Sequence, residues 1–305
     1  MKVVIAGGTG FIGNALVAAL LERGDTVTLV TRDPVHAQRH WDARVEARLW
    51  NGRDPGPWVM ALDGADAVIN LTGESVAGGR WTPERKLALI RSRVDTTRAV
   101  VKALAAAIEK PPVFVNASAV GYYGAAPEGL CTESAAQGTD FLAALCGQWE
   151  REALAAEKSE VRVVTSRFGV VLGADGGALA KLLTPFKLGL GGPLGSGDQP
   201  FPWVHVDDAV GAILFAIDDV ALAGPVNVVS ADTRTNGQFT KALGRALRRP
   251  AFIPVPGIVL HLGLGEMSTL LLDGQKAVPK KLLDEGYGFK HPSLEGALAS
   301  LLARA

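Results

Sequence analysis

The sequence contains little cysteine. Only Cys131 and Cys146 occur among its 305 residues. They do not form a CxxC pair, and no cluster of histidine and cysteine has the spacing of zinc ligands. We therefore expect two reduced, buried thiols in a cytoplasmic protein and no metal site.

The chain also lacks an excess of charge of either sign. Lysine plus arginine and aspartate plus glutamate both number 31, so the formal net charge is zero. A protein without a basic field holds neither a nucleic-acid backbone nor an anionic membrane through its overall charge. We therefore expect neither nucleic acid nor membrane among its partners.

Long hydrophobic runs are missing as well. The apolar run after Lys2 is interrupted by the glycines between Gly7 and Gly13, which is unlike a signal peptide. The longest later apolar stretch, 258–272, has 15 residues and contains His261 and Glu266. A membrane-spanning helix needs roughly 20 apolar residues. We therefore expect neither export nor a membrane span.

Short, continuous apolar runs alternate with helical patterns over the first half of the chain. Such runs are typical of strands that are covered on both faces, and their alternation with helices predicts a parallel sheet. We therefore predict an α/β fold, a Rossmann-type doubly wound parallel sheet. The predicted strands are KVVIAG (2–7), TVTLVT (26–31), DAVINLT (66–72), PVFVNAS (112–118) and VRVVTSRFG (161–169).

A glycine-rich loop, AGGTGFIG (6–13), joins the first predicted strand to the first predicted helix. Glycines at this spacing let the backbone approach a pyrophosphate and aim the free N–H groups of the helix N-terminus at its charge. The loop therefore predicts a dinucleotide site. Its binding residues are predicted to be Gly7, Gly10, Phe11, Ile12 and Gly13.

The end of the second predicted strand indicates which dinucleotide binds. NAD-binding folds usually carry an acidic residue about 20 residues after the glycines, where it holds the ribose 2′-hydroxyl. Thr31 and Arg32 stand at this point instead. A guanidinium can pair with a 2′-phosphate, so we expect NADP(H) as the cofactor. A solvated surface arginine is the alternative reading.

The regular alternation of strand and helix patterns ends after about residue 170. A loop rich in glycine and proline, 189–203, precedes a helix and strand within 207–230, and an apolar helix is predicted near 256–272. We expect an NADP-binding Rossmann domain formed by 1–170 plus about 204–230. A smaller, interleaved C-terminal substrate lobe would comprise about 171–203 plus 231–305.

Several motifs resemble those of the extended short-chain dehydrogenase/reductase superfamily: NLTGE, NASAVGYYG, SRFGVVLG and PWVHVDDAVGAI. The tail LGEMSTLLLDGQKAVPKKLLDEGYGFKHPSLEGAL is similar to an epimerase-like family with a C-terminal domain of unknown function. The resemblance covers essentially the whole chain. It implies that the cofactor is contacted by Leu71, Thr72, Gly73, Arg93 and Val171.

The resemblance also implies a catalytic set of serine, tyrosine and a lysine four residues after the tyrosine. Ser118 stands at the serine position. When Glu150 is aligned with the acidic residue that follows the lysine, Leu142 takes the tyrosine position and Cys146 the lysine position. Neither side chain can replace its counterpart, because leucine carries no proton to transfer and a neutral thiol lacks the field of an ammonium group.

Other side chains must then carry any catalysis. Our catalytic candidates are Ser118 with Tyr122 or Tyr123, whose phenols follow the serine in the same loop, although packing of the loop explains the tyrosines equally well. We also considered three weaker candidates, which are Glu74, Glu133 and His205.

Two functions fit the sequence. The first is an NADP(H)-dependent, epimerase-like oxidoreductase that acts on an unidentified small carbonyl or hydroxyl compound, with nucleotide-sugar-like compounds among the candidates. The second is a non-catalytic NADP(H)-binding redox sensor or regulator, which would retain a cofactor loop and lose the acid/base pair. A homodimer is one assembly we consider.

Overall fold

A computed structural model describes residues 1–125 and 127–303 of the chain. Residues 304 and 305, the end of the predicted C-terminal lobe, lie outside the described residues. The described strands are β1 (Lys2–Ala6), β2 (Thr26–Thr31), β3 (Val45–Leu49), β4 (Ala67–Asn70), β5 (Val113–Ala119), β6 (Arg162–Phe168), β7 (Val170–Leu172), β8 (Pro200–Phe201), β9 (Trp203–His205), β10 (Gly224–Val228) and β11 (Arg234–Thr235).

The core of the protein is a seven-stranded sheet in the order β10-β6-β5-β4-β1-β2-β3. All of its strand pairs are parallel. The strand order reverses between β1 and β4, which is the point where doubly wound sheets bind their ligands, at the carboxyl ends of the strands. The predicted Rossmann-type fold is confirmed.

Both faces of the sheet are buried, as the continuous apolar runs predicted. In β1, Val3 and Ile5 belong to the core cluster on one face, whereas Val4 belongs to the cluster on the other. Successive strand residues point to opposite faces, so a strand covered on both sides must be apolar throughout.

The sequence analysis missed β3, an edge strand of the sheet. Its sequence, VEARL, contains no continuous apolar run, and only Val45 is buried. An edge strand that is partly exposed needs fewer apolar residues, so its pattern does not stand out from a loop.

Helices surround the sheet and extend into the C-terminal half. Several begin at side-chain caps. In α3 the Thr82 hydroxyl accepts the Arg85 N–H, and in α4 the Asp140 carboxylate accepts the Ala143 N–H. The described helices are α1 (Phe11–Arg23), α2 (Pro34–Trp41), α3 (Pro83–Ala106), α4 (Phe141–Leu154), α5 (Gly177–Lys187), α6 (Val206–Asp218), α7 (Asn236–Leu247), α8 (Gly257–Leu264), α9 (Thr269–Leu272), α10 (Lys280–Asp284) and α11 (Leu294–Ala303).

The prediction of a single helix over 256–272 is wrong in one respect. In the structure this segment forms α8, a 3₁₀ turn and α9. α8 ends at Gly265, whose φ of +61° is left-handed, and a 3₁₀ turn over Gly265–Ser268 leads into α9. Glycine adopts this backbone conformation without strain, so it terminates a helix that the apolar pattern alone would continue. Among the described residues, no helix is both long and apolar enough to cross a membrane.

The C-terminal half pairs and packs with earlier parts of the chain. β7 pairs in parallel with β9, and β8 pairs antiparallel with β11. The chain then returns to α6, where the Asp208 carboxylate accepts the N–H groups of Lys290 at 2.6 Å and His291 at 3.0 Å. The boundaries of the two predicted lobes stay a prediction.

Candidate cofactor and active site

The glycine loop connects β1 to α1 at the carboxyl edge of the sheet. Gly7 has a φ of +82°, and a Cβ there would lie 2.7 Å from the carbonyl carbon of Leu71. A Cβ on Gly13 would lie 2.4 Å from the Gly7 oxygen. These positions exclude a side chain, so the bare backbone remains open to a ligand at this edge.

The first turn of α1 provides donors for that ligand. Gly10 is the N-cap, and no side chain caps the helix. The N–H groups at the start of a helix lack partners within it and carry the positive end of its dipole. The loop residues Phe11 and Ile12 line a large cavity. This arrangement fits the pyrophosphate of a dinucleotide.

Thr31 and Arg32 lie at the end of β2, beside the loop. The Thr31 hydroxyl accepts the N–H of Asp33, which caps α2. The Arg32 side chain is exposed. It stands where the acidic residue of NAD-binding folds would lie, so the position offers a positive charge to a 2′-phosphate.

Polar side chains after β4 and β5 are fixed by a buried network. Asn70 donates to the Asn116 oxygen at 2.7 Å and to the Thr97 hydroxyl at 2.9 Å, and it accepts from the Thr72 hydroxyl at 2.6 Å. The indole of Trp149 also donates to Thr97. The network holds Leu71, Thr72 and Gly73, three predicted cofactor contacts, on the cavity wall.

Arg93 brings a cation to this wall from α3. Its guanidinium donates to the carbonyl of Glu74 at 2.8 Å and lies 5.2 Å from the centre of the Trp149 ring. Burial lowers the pKa of the Arg93 guanidinium, while the neighbouring Cys146 and Glu74 oppose that shift. Arg93 lines the cavity, as expected of a cofactor-binding residue.

One cavity of about 1010 Å³ connects these elements to the C-terminal half. Its wall runs from Phe11 past Ser118 and α4 to α5 and α9. Val170 is on the wall. Val171, the residue predicted to contact the cofactor, is instead buried in the core. Successive strand residues face opposite sides, so the one-residue difference turns Val171 away from the cavity.

Ser118 lies on the cavity wall and is tied to a buried ion pair. Its hydroxyl donates to the Glu150 carboxylate at 2.6 Å. Arg167 holds both oxygens of that carboxylate at 2.7 Å, a bidentate pair with both side chains buried. This pairing fixes the Ser118 hydroxyl and directs its proton towards Glu150.

Tyr122 and Tyr123 are not among the described residues that line the cavity. The structure therefore gives no support to their predicted catalytic role. The Tyr123 hydroxyl donates to Asn227 at 2.7 Å and accepts from Arg167 at 2.9 Å. Burial raises the pKa of Tyr123 to about 12, although Arg167 opposes that shift. The Arg167 guanidinium covers the Tyr122 ring at 3.5 Å. Arg167 thus holds both phenol rings behind the wall.

Leu142 and Cys146 do reach the cavity, where the alignment placed the missing tyrosine and lysine. Both lie on the face of α4 that meets Gly121, because a Cβ on that glycine would lie 3.4 Å from the Leu142 Cβ and 3.9 Å from the Cys146 sulfur. Burial and the Glu150 charge raise the pKa of Cys146 to about 12. The thiol is therefore neutral near pH 7. Cys131 is likewise buried and free.

The three weaker candidates lie elsewhere. Glu74 is ion-paired with Arg85. Glu133 accepts the N–H groups of Asn227 and Lys281, both at 3.1 Å. His205 is buried and stacks on His291 at 3.6 Å. Of the three, none is on the described wall of the cavity.

His205, Asp207 and His291 place three potential ligand atoms within 4.8 Å of one another. The two imidazole planes are only 21° apart. Ring nitrogens hold their lone pairs in the ring plane, so stacked rings direct them side by side and not at one ion. We assign this cluster to the packing of the C-terminal segment on α6.

The sequence analysis missed several charged residues of the site. Arg167 had a signal, because an arginine inside an apolar strand run needs a buried partner. Asp140, Lys181 and Asp273 also lie on the wall. They come from separate helices and loops, and nothing in their local sequence predicts that they meet.

Comparison with known proteins places the chain in a family. The model of the NAD dependent epimerase/dehydratase family matches residues 3–229, and that of a domain of unknown function, DUF1731, matches residues 255–301. Epimerase family protein SDR39U1 of Mus musculus is 39% identical and covers 99% of this chain and 100% of its own length. Epimerase family protein YfhF of Bacillus subtilis is 37% identical, with 99% and 98% covered.

A solved structure agrees over the whole chain. The crystal structure of human epimerase family protein SDR39U1 with NADPH superposes with a TM-score of 0.91 at 36% identity, and the match covers 100% of both chains. The glycine loop, the strand order and these matches lead to one conclusion: the chain belongs to the NAD dependent epimerase/dehydratase family and carries a C-terminal DUF1731 domain.

Proposed function

We propose that the protein binds NADP(H) at the glycine loop and acts as an oxidoreductase or epimerase on a small carbonyl or hydroxyl compound, without a tyrosine–lysine pair. The observation that carries this proposal is the continuous cavity, which joins Phe11 and Ile12 of the loop to Ser118 and to the C-terminal half. A cofactor bound at the loop would extend along this cavity towards Ser118.

Each part of the nucleotide end has a role in this proposal. The loop backbone and the start of α1 bind the pyrophosphate. Arg32 pairs with the 2′-phosphate, and Thr72 and Gly73 line the nucleotide. Arg93 supplies the positive charge that Cys146 cannot, since it lies beside that thiol. The NADPH in the human relative supports this choice of cofactor.

The bound nicotinamide would supply hydride transfer, and the chain would supply orientation and exclusion of water. Ser118 directs its proton to Glu150, so its oxygen can accept a hydrogen bond from a substrate hydroxyl. This favours Ser118 as an orienting group and not as the acid of the reaction.

The cofactor choice is tested by titrating the protein with NADPH and NADH and following nucleotide fluorescence. Arg32→Ala should weaken NADPH binding about tenfold, the effect of losing a charge-assisted contact of about 1.4 kcal/mol, and should leave NADH binding unchanged. Arg151→Ala, which removes an exposed arginine of α4, is the matched control. Equal affinity of the unmodified protein for the two nucleotides would contradict the role of Arg32.

A non-catalytic NADP(H) sensor is the second candidate function. The residues that α4 presents to the cavity favour it. Leu142 and the neutral thiol of Cys146 occupy the positions where a proton-transferring pair is needed. The two functions separate when the protein is incubated with NADPH and a carbonyl panel while absorbance is followed at 340 nm. Turnover excludes the sensor. Tight NADPH binding without turnover of any panel compound favours it.

A further inference from the structure

Much of the cavity lining outside the predicted cofactor contacts is apolar. We call it the substrate-side wall and define it by Trp81, Phe141, Leu145, Leu182, Phe186 and Leu270. Trp81 and Phe141 meet edge to face with ring centres 5.3 Å apart, and Leu145 and Leu270 pack in the same cluster. A ligand on this wall would bury apolar surface, which favours binding.

Charges on the same wall are unfavourable for an anion. Outside the proposed cofactor contact Arg93, Lys181 is the described cation of the cavity lining, and it is exposed. Lys86 lies over the Phe141 ring at 4.8 Å, but its charge is paired with Glu266 at 2.6 Å. Asp140, Glu266 and Asp273 are carboxylates on the wall. Burial raises the pKa of Asp273, and the charge of Asp140 adds to that shift. With Glu266 paired to Lys86, Asp140 and Asp273 are the two remaining carboxylates of the described lining, against the single lysine Lys181 outside the cofactor contact.

The N-termini of α4 and α5, which face the cavity, are also closed to an anion. The first turn of α4 is capped by the carboxylate of Asp140, which accepts the Ala143 N–H at 2.8 Å. The Phe11 ring packs over the start of α5, since a Cβ on Gly176 or Gly177 would lie 2.5 Å or 2.9 Å from that ring. A diphosphate is normally held by such N–H groups together with arginine or lysine. Here both helix starts are covered, and Lys181 is the lysine that the described lining offers outside the cofactor contact.

We infer that the substrate is a neutral, predominantly apolar carbonyl compound or the corresponding alcohol, and not a nucleoside diphosphate sugar. This inference rests on the proposed function, because the glycine loop and Arg93 are taken to hold the cofactor. The substrate would lay its apolar body on the substrate-side wall and its reacting oxygen near Ser118. Reduction of such a carbonyl takes a hydride from NADPH to carbon and a proton from solvent water to oxygen, giving the alcohol and NADP⁺.

The test measures binding of two probes to the NADPH-loaded protein by calorimetry: 2-decanone, a neutral apolar ketone, and UDP-glucose. We expect 2-decanone to bind at least tenfold more tightly than UDP-glucose. The inference is overturned when UDP-glucose binds as tightly as the ketone, or when the ketone does not bind although NADPH does. Failure of NADPH itself to bind would instead overturn the proposed function.

A pair of matched variants locates the ketone. Leu270→Glu places a carboxylate on the substrate-side wall and should weaken 2-decanone binding about tenfold, because the ligand then buries a charged group and not a leucine. Ile108→Glu makes the same kind of change at an exposed residue after α3 and should have no effect. NADPH affinity is measured for both variants and should match that of the unmodified protein. Ketone binding that is unchanged in Leu270→Glu would contradict the assignment of this wall.

Discussion

The two ends of the cavity are built in different ways. At the nucleotide end, the backbone provides the binding groups, and side chains are excluded at Gly7 and Gly13. At the α4 end, side chains form the surface, and Leu142 and Cys146 stand where a tyrosine and a lysine are expected. Backbone geometry tolerates few substitutions, whereas a side chain on a helix can be replaced while the helix remains. The fold and the cofactor site can therefore persist after the acid/base pair is lost.

The α4 end is nevertheless held firmly from behind. Glu150 and Arg167 form a bidentate pair with both side chains at least nine-tenths buried, and Arg167 also binds Tyr123. This network positions Ser118, the one polar residue of the usual catalytic set that the chain retains. The buried Glu150–Arg167 pair is thus a rigid support for α4, whereas Leu142 and Cys146 are the altered residues on the cavity surface of that helix.

The largest effect is expected from breaking that support. Glu150→Gln leaves the buried Arg167 without its counter-charge and should lower the free energy of unfolding by about 3–5 kcal/mol, measured by urea denaturation. Glu152→Gln makes the same change on the same helix, where the glutamate pairs with the exposed Arg98, and should cost about 1 kcal/mol or less. Similar losses for the two variants would show that the buried network is not the support of α4.

Most of the fold could be predicted from the sequence, because the central strands have a recognisable apolar pattern. β1, β2, β4, β5 and β6 are continuous apolar runs, and their burial on both faces is the physical reason. The edge strand β3 could not be found in this way, since one well-buried residue creates no pattern. The break at Gly265 was missed because its neighbours are apolar enough to continue a helix.

The next effect concerns the nucleotide end. Gly13→Ala would place a methyl group 2.4 Å from the Gly7 oxygen and displace the loop. We expect NADPH binding to weaken about 100-fold, equivalent to about 2.7 kcal/mol. Gly263→Ala in α8 is the control, because a Cβ there has no neighbour within 4 Å. NADPH affinity that survives in Gly13→Ala, with the fold intact by circular dichroism, would refute the loop as the binding site.

The candidate site was predictable only where one motif determines it. The glycine loop follows from local sequence, and it joins β1 to α1. The family resemblance gave the positions of Leu142 and Cys146, and both side chains line the cavity. The tyrosines could not be placed from sequence, because their orientation depends on Arg167 and Asn227, which are distant along the chain. Long-range partners of this kind become visible only in the folded structure.

The smallest effect is the contribution of Cys146 to the loss of stability at high pH. Its pKa is raised from 9.0 to about 12 in the folded protein, so the unfolded chain loses this proton first as pH rises. The folded state then binds more protons, and stability falls as pH increases from about 9 towards 12. Cys146→Ala removes this contribution and should reduce the loss of stability at pH 10.5, relative to pH 8, by about 1–2 kcal/mol.

The control for this measurement is Leu145→Ala on the same helix. Leu145 is buried on the same wall and does not titrate. Its truncation should cost about 2–5 kcal/mol at every pH and leave the slope between pH 8 and pH 10.5 unchanged. A slope that Cys146→Ala does not alter would mean that the thiol ionises as readily in the folded protein as in the unfolded chain. The lysine position would then accommodate a charge, and the contrast between the two ends of the cavity would lose its electrostatic basis.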